Sequence, residues 1–315
     1  MSALLVWALL QVSAPKKPVA MVLSCPADCQ VRRPENPKPE RLSDSDLLFE
    51  KDQVITGKAG VRVLMLLGSS NVEVLPARTV TLGPREFTPA TAVKAVPRRK
   101  GAPGLDKVPG LIHSETIAGV VETFFPPQSE VQTGRISPLA NSQVLSARPT
   151  FRWPAVKEAT GYEVRLTDWS GDKPEWTAKA ATNSYTPTAK QGLAEGKNYL
   201  WRVVATLKSG KQLTVVDDYS VALLEGKKRE RLKAVEPFRN SPDPEDWLIA
   251  AATYQAFRVA DEAFVLYEKV AAKRPGQVGL LWKLHSYCQR AQDKGKAKEV
   301  EKELRKLGAW TDFGS

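Results

Sequence analysis

The chain has 315 residues, 42% of them apolar and 8% aromatic, which excludes wholesale disorder and exceeds one ordinary core, so two or three domains are expected. Its net charge of +11 suits weak attraction to anionic polymers, but the Lys and Arg residues are scattered and accompany no recognised module, so specific nucleic-acid binding is not expected. Beyond the N-terminus no segment approaches the roughly 18 apolar residues of a membrane span, so no span is expected either.

The first element is the apolar run of residues 3–12, followed by Ser13, Ala14 and Pro15-Lys16-Lys17-Pro18. A short apolar segment ending in small residues reads as a secretory signal, and Val12-Ser13-Ala14 places the cut after Ala14, giving a signal over 1–14. The run lacks the usual preceding Lys or Arg, and its alternative is a buried first strand of a cytosolic protein. Export, to the periplasm or cell envelope, is the reading adopted. Val22-Leu23-Ser24-Cys25 faintly resembles a lipobox, an anchor through Cys25 that Lys16-Lys17-Pro18 argues against by interrupting the apolar run. Cys25 and Cys29 lie in CPADC, whose three-residue spacer is not the CxxC of redox sites, and two cysteines alone make no zinc site. A structural disulfide or two thiols is expected, and no metal or cofactor. Cys288, in a helical pattern, is expected in a core.

Residues 19–85 read as β. Gln53-Val54-Ile55-Thr56, Val61-Arg62-Val63-Leu64-Met65-Leu66-Leu67, Val72-Glu73-Val74-Leu75 and Thr79-Val80-Thr81-Leu82 are short β-branched runs, separated by Gly57-Lys58-Ala59-Gly60 and Gly68-Ser69-Ser70-Asn71. Such punctuation predicts a meander or roll of antiparallel strands. In order, Leu47, Asp52, Ile55, Thr56, Gly60, Leu64, Leu66, Gly68, Val74 and Val80 resemble the FecR-type domain of bacterial envelope proteins, with Lys51 where that family prefers Gly. The resemblance covers about 65 residues and implies a β scaffold rather than a reaction. Residues 86–134 carry Pro and basic residues without sustained periodicity and read as a linker, with Arg98-Arg99-Lys100 as a solvated loop.

Over 135–223 the strands are Phe151-Arg152-Trp153, Gly161-Tyr162-Glu163-Val164-Arg165-Leu166 and Asn198-Tyr199-Leu200-Trp201-Arg202-Val203-Val204-Ala205. Trp153 ahead of the Tyr162 strand, and Leu193-x-x-Gly196-x-x-Tyr199, resemble a fibronectin type III domain with a tyrosine corner, which implies a β-sandwich. Trp153, Tyr162, Leu193, Tyr199 and Trp201 are therefore assigned to the fold. Trp169 and Trp176, around the turn DWSGDKPEW, are the candidates for exposed glycan stacking.

Over 242–310 the period becomes helical, with Trp247, Ala250, Ala251, Tyr254, Ala263, Tyr267, Val270 and a closing Pro275. The spacing resembles the 34-residue tetratricopeptide signature, in which small residues let two antiparallel helices approach. Advancing by 34 carries Tyr254 to Cys288, Ala263 to Ala297, Ala250 to Leu284 and Val270 to Leu304. Two such units are fewer than the roughly three wanted for an autonomous solenoid, so the pair is expected to pack against the β domains or to dimerise.

The expected fold is multidomain α+β: an antiparallel β roll, a β-sandwich and C-terminal helical hairpin repeats. No catalytic constellation emerges. His113 and His285 lie in no nucleophile or metal motif, and the pairs Asp44/Asp46 and Asp217/Asp218 read as turn or strand-end residues. The leading expectation is a non-enzymatic envelope scaffold that binds a protein partner on the inner helix of the first repeat, around Ile249, Thr253, Gln255 and Arg258. The alternative is a cell-wall or glycan binder using the β domains and basic charge, with Trp169 or Trp176 as the platform. A FecR-type signalling regulator, which would need a membrane span, is least favoured.

Overall fold

The computed structural model describes residues 16–25, 28–114, 134–171 and 173–310. The expected signal over 1–14, and residues 115–133 of the expected linker, lie outside the described residues. The protein is mixed α+β, with several antiparallel sheets and its longer helices gathered in the C-terminal part.

Ten short strands form the first unit: β1 Ala20–Ser24, β2 Gln30–Arg33, β3 Asn36–Arg41, β4 Leu47–Leu48, β5 Gln53–Ile55, β6 Val61–Met65, β7 Ser70–Val74, β8 Thr79–Leu82, β9 Phe87–Thr88 and β10 Val93–Ala95. They make two five-stranded sheets, ordered β10-β7-β6-β1-β4 and β3-β2-β5-β8-β9. Alternate residues of β6 and β8 point inward, and Val54, Val61, Val63, Val74, Val80 and Leu82 build a core between the sheets. Gly60 is needed where β6 meets β7, because a Cβ there would lie 2.6 Å from the carbonyl oxygen of Val74. Lys51 has φ 72°, the left-handed region that favours glycine. The edge strand β3 carries Pro37 and Pro39 with exposed charges, which protects it from pairing with another sheet.

The linker expectation is corrected by this topology. β9 pairs with β8 and β10 with β7, so residues 87–95 complete the first unit. Next comes a short helix, α1 Val108–Ser114, packed on the C-terminal helices.

The second unit holds β11 Ser142–Val144, β12 Phe151–Arg152, β13 Ala159–Asp168, β14 Pro174–Ala180, β15 Ser184–Tyr185, β16 Asn198–Leu207 and β17 Gln212–Leu223. Its sheet runs β11-β17-β16-β13-β14, with β11 parallel to β17, and β12 pairs with β15 separately. Phe151, Trp153, Tyr162, Trp201 and Tyr219 fill the core, with Phe151 4.9 Å from Trp201 and Trp153 5.4 Å from Tyr162 between ring centroids. Two phenols tie loops to this core: the Tyr199 hydroxyl accepts from the Ala194 N–H at 3.1 Å, and that of Tyr162 from the Val156 N–H at 3.0 Å.

The remaining helices are α2 Gly226–Leu232, α3 Glu236–Arg239, α4 Pro244–Ala256, α5 Ala260–Lys273, α6 Val278–Arg290 and α7 Lys294–Lys306. Asp243 caps α4 by accepting from the Glu245 N–H, with Pro244 at the first helical position, and Asp293 caps α7 through the Lys296 N–H. The hairpins α4–α5 and α6–α7 repeat with a fixed step. Their helices begin at 244 and 278 and at 260 and 294, both 34 apart, and the left-handed turn residues Arg258 and Gln292 are also 34 apart.

One hydrophobic cluster joins the parts. It runs from Met21, Leu23, Leu64 and Leu66 of the first unit, through Val108 and Ile112 of α1, Leu139 and Leu224 beside the second unit, into all four long helices. The two hairpins bury their surplus apolar surface against their own chain, which is the first of the two arrangements expected of so short an array.

Candidate interaction surface

The inner helix α4 is where sequence reasoning placed the partner-binding face, and the structure corrects that placement. Ile249 and Thr253 are fully buried, with the Thr253 hydroxyl donating to the Ile249 carbonyl at 2.7 Å. Gln255 is half-buried and accepts from the Tyr267 hydroxyl at 2.7 Å. Arg258 is exposed, but it turns to the second unit: its guanidinium donates to the Asn141 carbonyl at 3.1 Å, and its own carbonyl accepts from the Gln143 N–H at 2.9 Å. The cause is that α4 is surrounded by α5, α1, α3 and β1. A helix apolar on every side belongs to a core rather than to a groove.

Three polar seams hold that cover in place. In the first, the 43–46 loop of the first unit meets α5 and α6. Asp44 is fully buried, accepting from the Cys25 N–H at 2.7 Å and from Arg274 at 3.0 Å, and Arg274 also donates to the Leu23 carbonyl at 2.7 Å. Glu245 joins through Arg274 and Arg62. Lys283 donates to the Ser45 carbonyl and hydroxyl at 2.9 and 2.7 Å, and the Gly279 N–H to the Ser43 hydroxyl at 3.1 Å. The sequence reading of Asp44 and Asp46 as simple turn residues misses this role.

The second seam corrects the solvated-loop reading of Arg98 and Arg99. Arg98 pairs with buried Asp246 and lies 5.5 Å from the Phe238 ring centroid. Arg99 donates to the Ser241 hydroxyl at 2.7 Å and pairs with Asp243 at 3.3 Å. The third seam fixes the second unit: Arg290 donates to the Ala140 carbonyl at 2.7 Å, the Leu139 N–H to Asp261 at 3.0 Å, and Gln292 to the Tyr219 hydroxyl at 2.9 Å.

Burial raises the Asp44 carboxyl above its ordinary value, because desolvation outweighs the help of the Cys25 N–H and Arg274. A carboxyl with a raised folded pKa binds its proton more tightly folded than unfolded. Its contribution to stability is therefore complete below the unfolded value and declines as pH rises through the folded one. A carbon-13 carboxyl titration should show Asp44 protonating above 3.8; a midpoint at or below that value would show that the ion pair dominates.

Among the described residues, the outward side of the second hairpin meets no comparable polar seam. Trp282, His285 and Ser286 of α6 occupy the repeat positions of Leu248, Ala251 and Ala252 in α4, which are buried, yet all three are half-exposed. Trp282 stacks on Trp310 at 5.1 Å and 11°, His285 stands edge-on to both rings, and the Arg305 guanidinium lies 5.3 Å from Trp310. Lys298 and Lys302 are exposed on α7, two turns and one turn before Lys306 respectively, at the spacing that places them on one stripe with Arg305. An aromatic patch beside a basic stripe suits an acidic segment with an apolar anchor. Sequence reasoning passed over it, although a Trp 34 residues after Leu248 was a readable signal.

Of the two tryptophans proposed for stacking, Trp169 is 62% exposed, while Trp176 is half-buried, 5.6 Å from Tyr185 and 6.1 Å from Phe151 between centroids. Trp176 therefore belongs to the second core, a correction to its assignment. His113 donates to the Pro18 carbonyl at 2.7 Å. Cys25 and Cys29 are both buried thiols, that of Cys25 donating to the Leu42 carbonyl at 3.2 Å, and Cys288 is a buried thiol of α6. Among the described residues no helix is long and apolar enough to cross a membrane.

No family model matches the chain, and neither does any curated protein. Among solved structures it is similar to a β-1,2-glucanase from Parabacteroides distasonis, at 11% identity and a TM-score of 0.23, over 93% of this chain and 49% of that one. The chain thus spans about half the length of that protein, and a likeness at this score shows neither a shared fold nor a shared activity.

Proposed function

We propose that the protein is an exported, non-enzymatic envelope scaffold that binds an acidic protein segment on the outward face of α6 and α7. In this reading the first unit is FecR-like, the second fibronectin type III-like and the hairpins tetratricopeptide-like. The 34-residue step and the Tyr199–Ala194 hydrogen bond support those likenesses. The observation that carries the binding face is the contrast between repeat-equivalent positions: Leu248, Ala251 and Ala252 are buried, whereas Trp282, His285 and Ser286 are half-exposed.

The test is in-cell crosslinking of the tagged full chain against a His285→Ala/Lys298→Glu/Lys302→Glu variant, with circular dichroism confirming that both fold. A defined protein crosslinked to the first and reduced at least tenfold with the second is expected. Equal crosslinking to both would remove this face from consideration. The second reading, a glycan binder, is favoured by one observation, the 62% exposure of Trp169. It requires that cell-wall material bind in a salt-sensitive manner and be lost on Trp169→Ala.

A further inference from the structure

The sheet of the second unit ends at β14. Among the described residues β14 pairs with β13 alone, and at seven residues it is the longest edge strand. The six-residue edge strand β3 is guarded by Pro37 and Pro39, whereas the one proline of β14 is Pro174 at its first position. The register fixes which backbone groups the β14 edge presents. The Trp169 N–H donates to the Asn198 carbonyl at 2.9 Å, so these two form a hydrogen-bonded pair, and from there the residues of β13 bond alternately to β16 and to β14. Leu166, Val164 and Tyr162 therefore bond to Trp176, Ala178 and Ala180 of β14. Glu175, Thr177 and Lys179 turn their N–H and carbonyl groups away from β13, to the open edge, and all three residues are exposed.

We propose that this edge is an interface between two copies of the chain, in which β14 pairs antiparallel with β14 of the second copy about a two-fold axis at Thr177. Charge complementarity selects that occupant. A two-fold axis requires one patch to be its own complement, and the order Glu175, Thr177, Lys179 is. Thr177 then faces Thr177, and Glu175 of each copy faces Lys179 of the other. Opposite charges at directly opposed cross-strand positions stabilise a sheet, and like charges there destabilise it. Slipping the register by two residues sets Glu175 or Lys179 against Thr177 and breaks both charge pairs. The three outward residues of each strand supply about six backbone hydrogen bonds between the copies, and the two sheets become one. Glu175 also pairs with Lys197 of its own chain at 2.8 Å, but Lys197 keeps Asp168 at 3.1 Å when Glu175 turns to the second copy.

Sedimentation equilibrium of the purified full chain at neutral pH, over roughly 1 μM to 1 mM, tests this. The mass is expected to rise toward that of a dimer with concentration, and amide exchange across residues 174–180 to slow with it. Lys179→Glu and Glu175→Lys each set like charges opposite one another and should weaken the dimer at least tenfold. An equimolar mixture of the two variants restores both opposite-charge pairs and should associate as tightly as the natural chain. Thr177→Pro removes an outward N–H without touching the bonds to β13, and should abolish the dimer independently of charge. Circular dichroism confirms that each variant folds. A chain that stays monomeric at every concentration, a dimer untouched by the three substitutions, or a mixture that does not associate would overturn the proposal. The assay contains this protein alone, so its outcome is independent of any acidic ligand of α6 and α7.

Discussion

Replacing Asp44 with Ala is expected to destabilise the protein by about 2–3 kcal/mol, the cost of taking a hydrogen-bonded counter-charge from a half-buried cation. Arg274 keeps the Leu23 carbonyl and the weaker 3.4 Å contact to Glu245, but it loses its 3.0 Å contact to the fully buried carboxylate. The Cys25 N–H loses its acceptor at the same time, which adds a buried unpaired donor. The raised pKa of Asp44 does not conflict with this cost. Ionising the carboxyl in a desolvated site is unfavourable, yet removing it leaves the half-buried Arg274 with only the longer contact to Glu245 as a counter-charge. Asp44→Asn retains an acceptor for one of the two donors and should cost clearly less. Urea denaturation checks both variants. A loss below 1 kcal/mol for Asp44→Ala would show that water or Glu245 replaces the carboxylate without penalty.

Gly279→Val should be nearly as damaging, by about 1–3 kcal/mol or more, because the side chain has nowhere to go. A Cβ on Gly279 would lie 2.1 Å from the Ser43 Cβ and 2.4 Å from its hydroxyl. Gly279 is in the first turn of α6, so the wedge would lift the 43–46 loop and with it the contacts of Asp44 and Lys283. The variant is diagnostic when paired with Ser43→Gly, which deletes the atoms in the way at the cost of the hydrogen bond from the Gly279 N–H. The double variant should recover much of the loss, a coupling that distant sites do not show. Additive losses would mean that α6 and the loop do not touch in solution.

Both positions show why the seams were hard to read from sequence. Asp44 and Arg274 are 230 residues apart, and no local pattern marks either as a partner of the other. Gly279 reads as a poor helix residue, and only the approach of a second segment explains it. The repeat was legible because its cause is local: small Ala263 recurs as Ala297, and the same 34-residue step carries Ala250 to Leu284 and Val270 to Leu304. Burial around α4 was not legible, since a helix apolar on all sides gives no outward face to choose. Ile249 and Thr253 were therefore placed in a groove that α1, α3 and β1 occupy. In the second unit, Trp153, Tyr162, Leu193, Tyr199 and Trp201 were readable as core from strand period, and all five are buried. Trp176 lies on the strand β14, where it packs across Phe151 and Tyr185, a contact that turn-like neighbours in sequence conceal.

The account turns on whether the first hairpin is sealed by its own chain, and native-state amide hydrogen exchange reads that directly. Sealed amides open only when the surrounding core opens. Residues 248–254 of α4 are expected to exchange as slowly as those of β6, with which they share a boundary through Leu64, and more slowly than residues 298–306 of α7. If α4 exchanges at least a hundredfold faster than β6, the cover is loose, the inner helix is available to a partner, and the assignment of binding to α6 and α7 fails.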